Sequence, residues 1–232
     1  MIKDSIGAAR LALGYWPLTL SAIVVYVLFG LATLTEPLLD YGVIAGLMIL
    51  SLIGLMIISY LMSRRAGAPN RNEIGSVGGW FGWGFLAGVP LIAILLSYAT
   101  VIGFETWSNS DSPFWIESVL FVIATVVALP FYALSTGRAI NGEGASASRI
   151  FTYCKANLVP VIISGFALLL PPNFLSDALL NGLGMEAPSR LLSVFFGVSG
   201  GLAMLVISVA TIGLSATIYR NAEKTADPRA IS

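Results

Sequence analysis

YGVIAGLMILSLIGLMIISYLMSRR, residues 41–65, decides the fold. From Tyr41 to Ser63 no side chain is charged, and the run stops at Arg64 and Arg65. A helix rises about 1.5 Å per residue and a bilayer's hydrocarbon core is about 30 Å thick, so about 20 such residues cross it. Five more stretches read the same way: 11–35, 74–104, 118–137, 156–176 and 191–219. The expected spans are 15–35, 42–63, 80–103, 118–137, 156–172 and 191–218. Together they make one all-α integral membrane domain over residues 1–232, with six transmembrane helices.

The cations set the orientation. Lys3 and Arg10 precede the first span, and Arg64, Arg65 and Arg71 follow the second. Arg138, Arg149 and Lys155 lie between the fourth and fifth, and Arg220, Lys224 and Arg229 follow the sixth. Only Arg190 falls in the other set of gaps. Basic residues gather on the cytoplasmic side, so both termini are expected in the cytoplasm. The apolar run after Arg10 is too long for a secretory signal and lacks an A-x-A-like cleavage site, so it reads as an uncleaved span.

Composition narrows the function. The chain is 57% hydrophobic and 10% charged, which leaves no length for a separate soluble domain. Acids and bases cancel, and nothing points to nucleic acid. There is no His, and the lone Cys154 has no disulfide partner. P-loop, G-x-S-x-G, H-E-x-x-H and C-x-x-C patterns are missing. No ionisable residue lies deep in an expected span, which argues against a carboxylate relay. The expectation is therefore no enzyme, no cofactor and no metal.

Small and polar residues supply the remaining candidates. Gly78 and Gly82, Gly84 and Gly88, and Gly197 and Gly201 are one helical turn apart, spacing that lets membrane helices approach closely. Whether they pack internally or against another protein is open, with internal packing the default. Neutral polar groups that could line a cavity are Ser51, Ser59, Ser97, Tyr98, Thr100, Thr125, Asn157, Ser164, Ser199, Ser208, Thr211 and Ser215. The commoner role of such groups is to bond their own preceding turn. Pro130, Asn157 and Pro160 are candidate kink or cavity positions.

Two segments read as amphipathic helices leading into spans. Ile2, Ile6, Ala9 and Leu13 recur at helical spacing, as do apolar residues within 142–157, where Ser146 or Ser148 can cap. Arg10, Arg149 and Lys155 are candidate lipid-headgroup contacts, although simple interfacial anchoring is the commoner role of such side chains. Prolines 17, 90 and 160 recur near the starts of alternate spans, which suggests three tandem two-helix units, each preceded by a cytoplasmic-side lead-in. The external segments 104–117 and 171–190 combine acids with aromatic and aliphatic residues, and the second is long enough for a short interfacial helix.

The stretch GEGASASRIFTYCKANLVPVIISGFALLLPP, residues 142–172, carries a family resemblance through Gly144, Ser146 and Asn157. It resembles the lead-in and following span of six-span bacterial inner-membrane families, the YciC-like group and the glycerophosphodiester phosphodiesterase membrane-domain group. The resemblance implies an integral-membrane module and no catalytic residue, because the phosphodiesterase chemistry belongs to a separate domain that this sequence lacks. Two functions then stand. One is a non-enzymatic accessory or assembly component of a membrane complex, with lipids and other membrane subunits as partners. The other is a small transporter or permeability factor for a neutral or amphiphilic solute.

Overall fold

The computed structural model describes residues 1–34, 41–68, 79–80, 82–84, 86, 88, 99, 114–141, 146–181 and 190–226. Every regular element among them is helical. In chain order these are α1 (Ile2–Leu13), α2 (Trp16–Leu34), α3 (Tyr41–Gly67), α4 (Phe114–Asn141), α5 (Ala147–Ala156), α6 (Leu158–Asn181) and α7 (Arg190–Ala226). Four of them are long and apolar enough to cross a membrane, and the bent α1–α2 pair brings the number to as many as five. A helix is the natural form here, because within lipid each backbone N–H and C=O must find its partner in the chain itself. The expected span over 80–103 falls mostly outside the described residues, as do the connections 36–40 and 104–113.

The lead-ins are separate helices. α1 meets α2 at an angle of 93° across Gly14 and Tyr15. Thr19 Oγ1 donates to the Leu13 carbonyl at 2.7 Å, satisfying an acceptor left open where α1 ends. Pro17 is the second residue of α2, where its missing N–H costs no intrahelical bond. The α5–α6 junction is built alike. Asn157 leaves helical geometry (φ −117°, ψ 33°), its side chain donates to the Tyr153 carbonyl at 3.0 Å, and Pro160 is the third residue of α6. Ser146 sits at the N-cap of α5 without a side-chain capping bond.

Two boundaries differ from the expected ones. Residues 171–181 continue α6 instead of forming a separate interfacial helix. Pro171 and Pro172 take two donors from the ladder, opposite the carbonyls of Ala167 and Leu168, and the buried Asn173 side chain donates to the next carbonyl, that of Leu169, at 2.8 Å. The last helix runs to Ala226 rather than ending near 218, a length of 37 residues or about 55 Å. Its final turns carry Arg220, Asn221 and Glu223 against the other helices.

α7 is the axis of the bundle and touches each of the other described helices. One apolar core joins its Leu205, Val209, Ile212 and Ala216 to α1, α2 and α3. A second joins its Leu214, Ile218 and Ala222 to α4, α5 and α6. The outward faces keep large apolar side chains exposed, such as Leu20, Val24 and Leu28 on α2 and Ile49, Ile53 and Met56 on α3. Such continuous apolar surface suits acyl chains as its solvent.

The basic helix ends come together. Arg64 Nη1, on α3, donates to the Ala139 carbonyl at 3.0 Å, near the end of α4. Arg220, on α7, donates through Nε to the Gly67 carbonyl at 3.1 Å and through Nη2 to that of Ala66. Cations at helix C-termini complement both the open carbonyls and the helix dipole. These bonds place the C-terminal ends of α3 and α4 beside the Arg220 region of α7.

Candidate functional site: a hydroxyl-lined cavity

α3, α4 and α7 enclose a partly open cavity of about 450 Å³ together with Trp83, Gly84 and Gly88. That volume is in the range of small-molecule sites. Its walls follow helical spacing: Leu52, Met56, Ser59 and Ser63 on α3, and Ile207, Ser208, Thr211 and Ser215 on α7. α4 adds Phe121, Thr125, Tyr132, Ser135 and Thr136. None of these residues is charged.

The lining is graded from end to end. Far from the arginines it consists of Leu52, Leu55, Met56, Phe121 and Ile207. Toward Arg64, Arg138 and Arg220 it consists of Ser59, Ser63, Tyr132, Ser135, Thr136 and Ser215. From Leu52 to Ser63 the distance along α3 is about 16 Å. One end is therefore hydrocarbon-like and the other rich in hydroxyl groups.

Five of the nine hydroxyls in the lining donate their hydrogen to a carbonyl of their own helix. Ser63 donates to the Ser59 carbonyl at 2.7 Å, Thr125 to that of Phe121 at 2.9 Å, and Ser135 to that of Tyr132 at 2.8 Å. Thr211 donates to the Ile207 carbonyl at 2.9 Å and Ser215 to that of Thr211 at 2.5 Å. The Tyr26 hydroxyl, from α2, lies beside Ser59 and Ser208 at the wall. A hydroxyl that has donated its hydrogen retains oxygen lone pairs. Ser63, Thr125, Ser135, Thr211 and Ser215 thus present acceptors, suited to a guest that donates.

Aromatic and cationic groups stand beside the polar end. Tyr60 stacks on Trp80 with ring centroids 4.1 Å apart, and the cavity-lining Trp83 meets Tyr60 edge-on at 5.6 Å. Arg64 is 7% exposed and lies 6.0 Å from the Tyr60 ring centroid. Trp83, Tyr60 and Ala139 form a small core of their own. The arrangement can bind and orient a guest, and among the described residues its lining has no carboxylate, amine, guanidinium or thiol. Among the described residues no three His, Cys, Asp or Glu side chains gather as metal ligands.

The candidates from the sequence divide. Ser59, Thr125, Ser208, Thr211 and Ser215 meet at this cavity. Ser51, Asn157, Ser164 and Ser199 are not in its lining, and Ser97, Tyr98 and Thr100 lie outside the described residues. Pro130, Asn157 and Pro160 are absent from it too: Pro130 lies within α4, and the others belong to the α5–α6 junction. The unanticipated members are Ser63, Tyr132, Ser135 and Thr136. Their signal was spacing, since Ser59 and Ser63, Tyr132 and Thr136, and Thr211 and Ser215 are each one turn apart.

The glycines have distinct places. Gly197 and Gly201 face Gly30, Leu31 and Val27 of α2 at backbone contact. Gly84 and Gly88 line the cavity, with open space where a Cβ would be. Gly82 lies against the Arg138 side chain, and Gly78 is outside the described residues. Of the basic candidates, Arg149 pairs with Glu223 at 3.0 Å, while Lys155 and Arg10 are exposed.

Fold and cavity define a membrane-embedded helical protein with an uncharged, hydroxyl-lined internal site. Comparisons with protein-family models, curated proteins and solved structures find no match to this chain.

Proposed function

We propose that this protein binds a neutral amphiphile within the membrane and acts as a small transporter or permeability factor for it. The graded cavity carries the reading. An apolar tail fits beside Leu52, Phe121 and Ile207, and a hydrogen-donating head fits among Ser63, Ser135, Thr136 and Ser215. An uncharged lining disfavours ions, because a charge moved from water into such a site leaves its solvation uncompensated. The test begins with protein purified in mild detergent, extraction into organic solvent, and mass spectrometry. Wild type should carry a neutral amphiphile near one per chain, and Ser208→Trp, which fills the cavity, should not. Clean extracts from both would sink the proposal, as would equal loads.

The membrane plan proposed alongside is six spans in a bacterial inner membrane, with the arginine-bearing helix ends and both termini cytoplasmic. Its support is the clustering of Arg64, Arg138 and Arg220 at one end of the bundle and the positive-inside tendency. The likeness of 142–172 to six-span inner-membrane modules fits this plan, and so do the matching α1–α2 and α5–α6 junctions expected of tandem units. A cysteine placed at Asp111 should react with an impermeant thiol reagent in intact cells, whereas one at Ala68 should not. The reverse labelling would invert the topology.

The accessory-subunit reading loses one of its supports. Gly197 and Gly201, a face on which another protein's helix could have docked, are occupied by α2. A stoichiometric partner in the native mass of the gently extracted protein would restore that reading.

A further inference from the structure

A second crevice lies under α1, away from the hydroxyl-lined cavity. It has a volume of about 430 Å³ and is bounded by α1, α2, α6 and α7. Its walls are hydrocarbon: Leu13, Ile23, Leu168, Leu205 and Val209. Ile6 and Val206 line it and are exposed, so it opens on the lipid-facing surface.

Three polar residues interrupt this apolar lining. Thr19 is satisfied by the Leu13 carbonyl, whereas the side chains of Ser5 and Arg10 have no partner among the described residues. Ser5 belongs to the lining and is 1% exposed, and its Oγ, itself buried, makes no hydrogen bond. Arg10 is also part of the lining, is exposed, and faces no carboxylate among the described residues. A buried hydroxyl left unbonded is costly, and rotation of the Ser5 side chain toward the crevice would pair it with a guest. α1 crosses α7 near Gly213, where the Ala9 side chain closes in. From there the crevice runs along α7 through Ala210, Val209, Val206 and Leu205, away from the arginine-bearing end.

We propose that this crevice holds one glycerophospholipid, its phosphate on Arg10, its glycerol-ester region beside Ser5 and one acyl chain along α7 between Ala210 and Leu205. The charge fits, because a guanidinium bonds phosphate oxygens in pairs. The geometry fits as well, because an amphipathic helix lies at headgroup depth and the crevice below it lies at acyl depth. The occupant is a resident lipid that wedges α1 against the bundle, chemically distinct from the neutral guest of the other cavity.

The test uses the full-length purified protein, native mass spectrometry and dioleoyl phosphatidylglycerol. Wild type should retain one phospholipid per chain. Diacylglycerol, which lacks the phosphate, should not replace it, and inorganic phosphate alone should not displace it. Arg10→Ala should weaken retention by about tenfold or more, the scale of a lost charge-assisted bond. Ala210→Phe, which fills the acyl channel, should weaken it without touching the cation. A phosphatidylglycerol with a photoreactive acyl chain should label 205–210 of α7 and Leu168 of wild type. Retention unchanged in Arg10→Ala, replacement by diacylglycerol, or labelling spread equally over the exposed face of α3 would each overturn the assignment. Ser208→Trp should leave this lipid in place.

Discussion

Gly30 of α2 and Gly201 of α7 meet backbone to backbone: a methyl group at Gly30 would lie 2.7 Å from the Gly201 amide nitrogen. The same seam continues at Gly197, whose added Cβ would be 2.9 Å from the Leu31 Cα, and at Gly201, 2.9 Å from the Val27 Cα. The obstacles are backbone atoms, so no rotamer change relieves them. Lipid is as apolar as leucine, so membrane helices gain mainly by close packing, and glycine permits it.

Gly201→Val should therefore separate α2 from α7 and destabilise the protein by about 1–3 kcal/mol or more, the usual range for overpacking. Gly200→Ala is the control, because its Cβ would meet nothing within 4 Å. Thermal unfolding in detergent reads the difference. Equal melting of the two variants would show that the seam contributes little.

Arg149 and Glu223 tie α5 to the final turns of α7 at 3.0 Å, with side chains 49% and 13% exposed. Asn221 supports the joint by donating to the Tyr153 hydroxyl at 3.2 Å. Half of the pair is wet, so a double-mutant cycle should give a coupling of about 0.5–1 kcal/mol and no more. Arg149→Ala should also make α5 more susceptible to protease, because it strands the Glu223 carboxylate. A coupling of zero would demote the contact to incidental proximity.

Arg220 caps α3 from a distance of more than 150 residues in sequence, bonding the carbonyls of Ala66 and Gly67. Arg220→Gln should cost about 1.5–3 kcal/mol, the scale of hydrogen bonds to a charged donor. Arg220→Lys should recover little, because an ammonium cannot span two carbonyls as the planar guanidinium does. Full recovery by lysine in the same unfolding assay would mean that charge alone matters.

Cys154, on α5, has its thiol pushed up by burial from 9.0 to about 11. The thiolate is the reactive form, so alkylation should be slow at pH 7 and rise only as pH approaches 11. The folded state holds the thiol proton more tightly than the unfolded chain. Its contribution to stability is therefore complete below pH 9 and is lost as pH rises from 9 toward 11. An iodoacetamide rate profile should show its inflection well above that of the denatured protein, and coincident profiles would refute the shift.

How much was legible in the sequence depended on the kind of pattern. The absence of charge in 41–63 and 118–137, and the arginines that end them, follow from the cost of ions in hydrocarbon, a local property of each segment. The lead-in helices were legible for the same reason, since polar and apolar faces coexist in residues 2–13 and 147–156. The continuation of α6 through Pro171 and Pro172 was not, because proline is a strong local stop signal that packing and the Asn173 side chain override. Glycine spacing flagged Gly197 and Gly201 but not their partner, Gly30.

The cavity shows the same division. Five of its hydroxyl residues were recognisable as polar interruptions of apolar runs, namely Ser59, Thr125, Ser208, Thr211 and Ser215. Ser63, Ser135 and Thr136 were hidden beside arginines, where hydroxyls are unremarkable. By itself the sequence determined what each segment can be dissolved in, because transfer from water to hydrocarbon is a property of composition and length. Only the tertiary structure decided which faces turn toward one another. The long spans are apolar nearly all round, so no periodic signal distinguishes the face of α7 that meets glycine, the face that meets hydroxyls and the face that meets lipid.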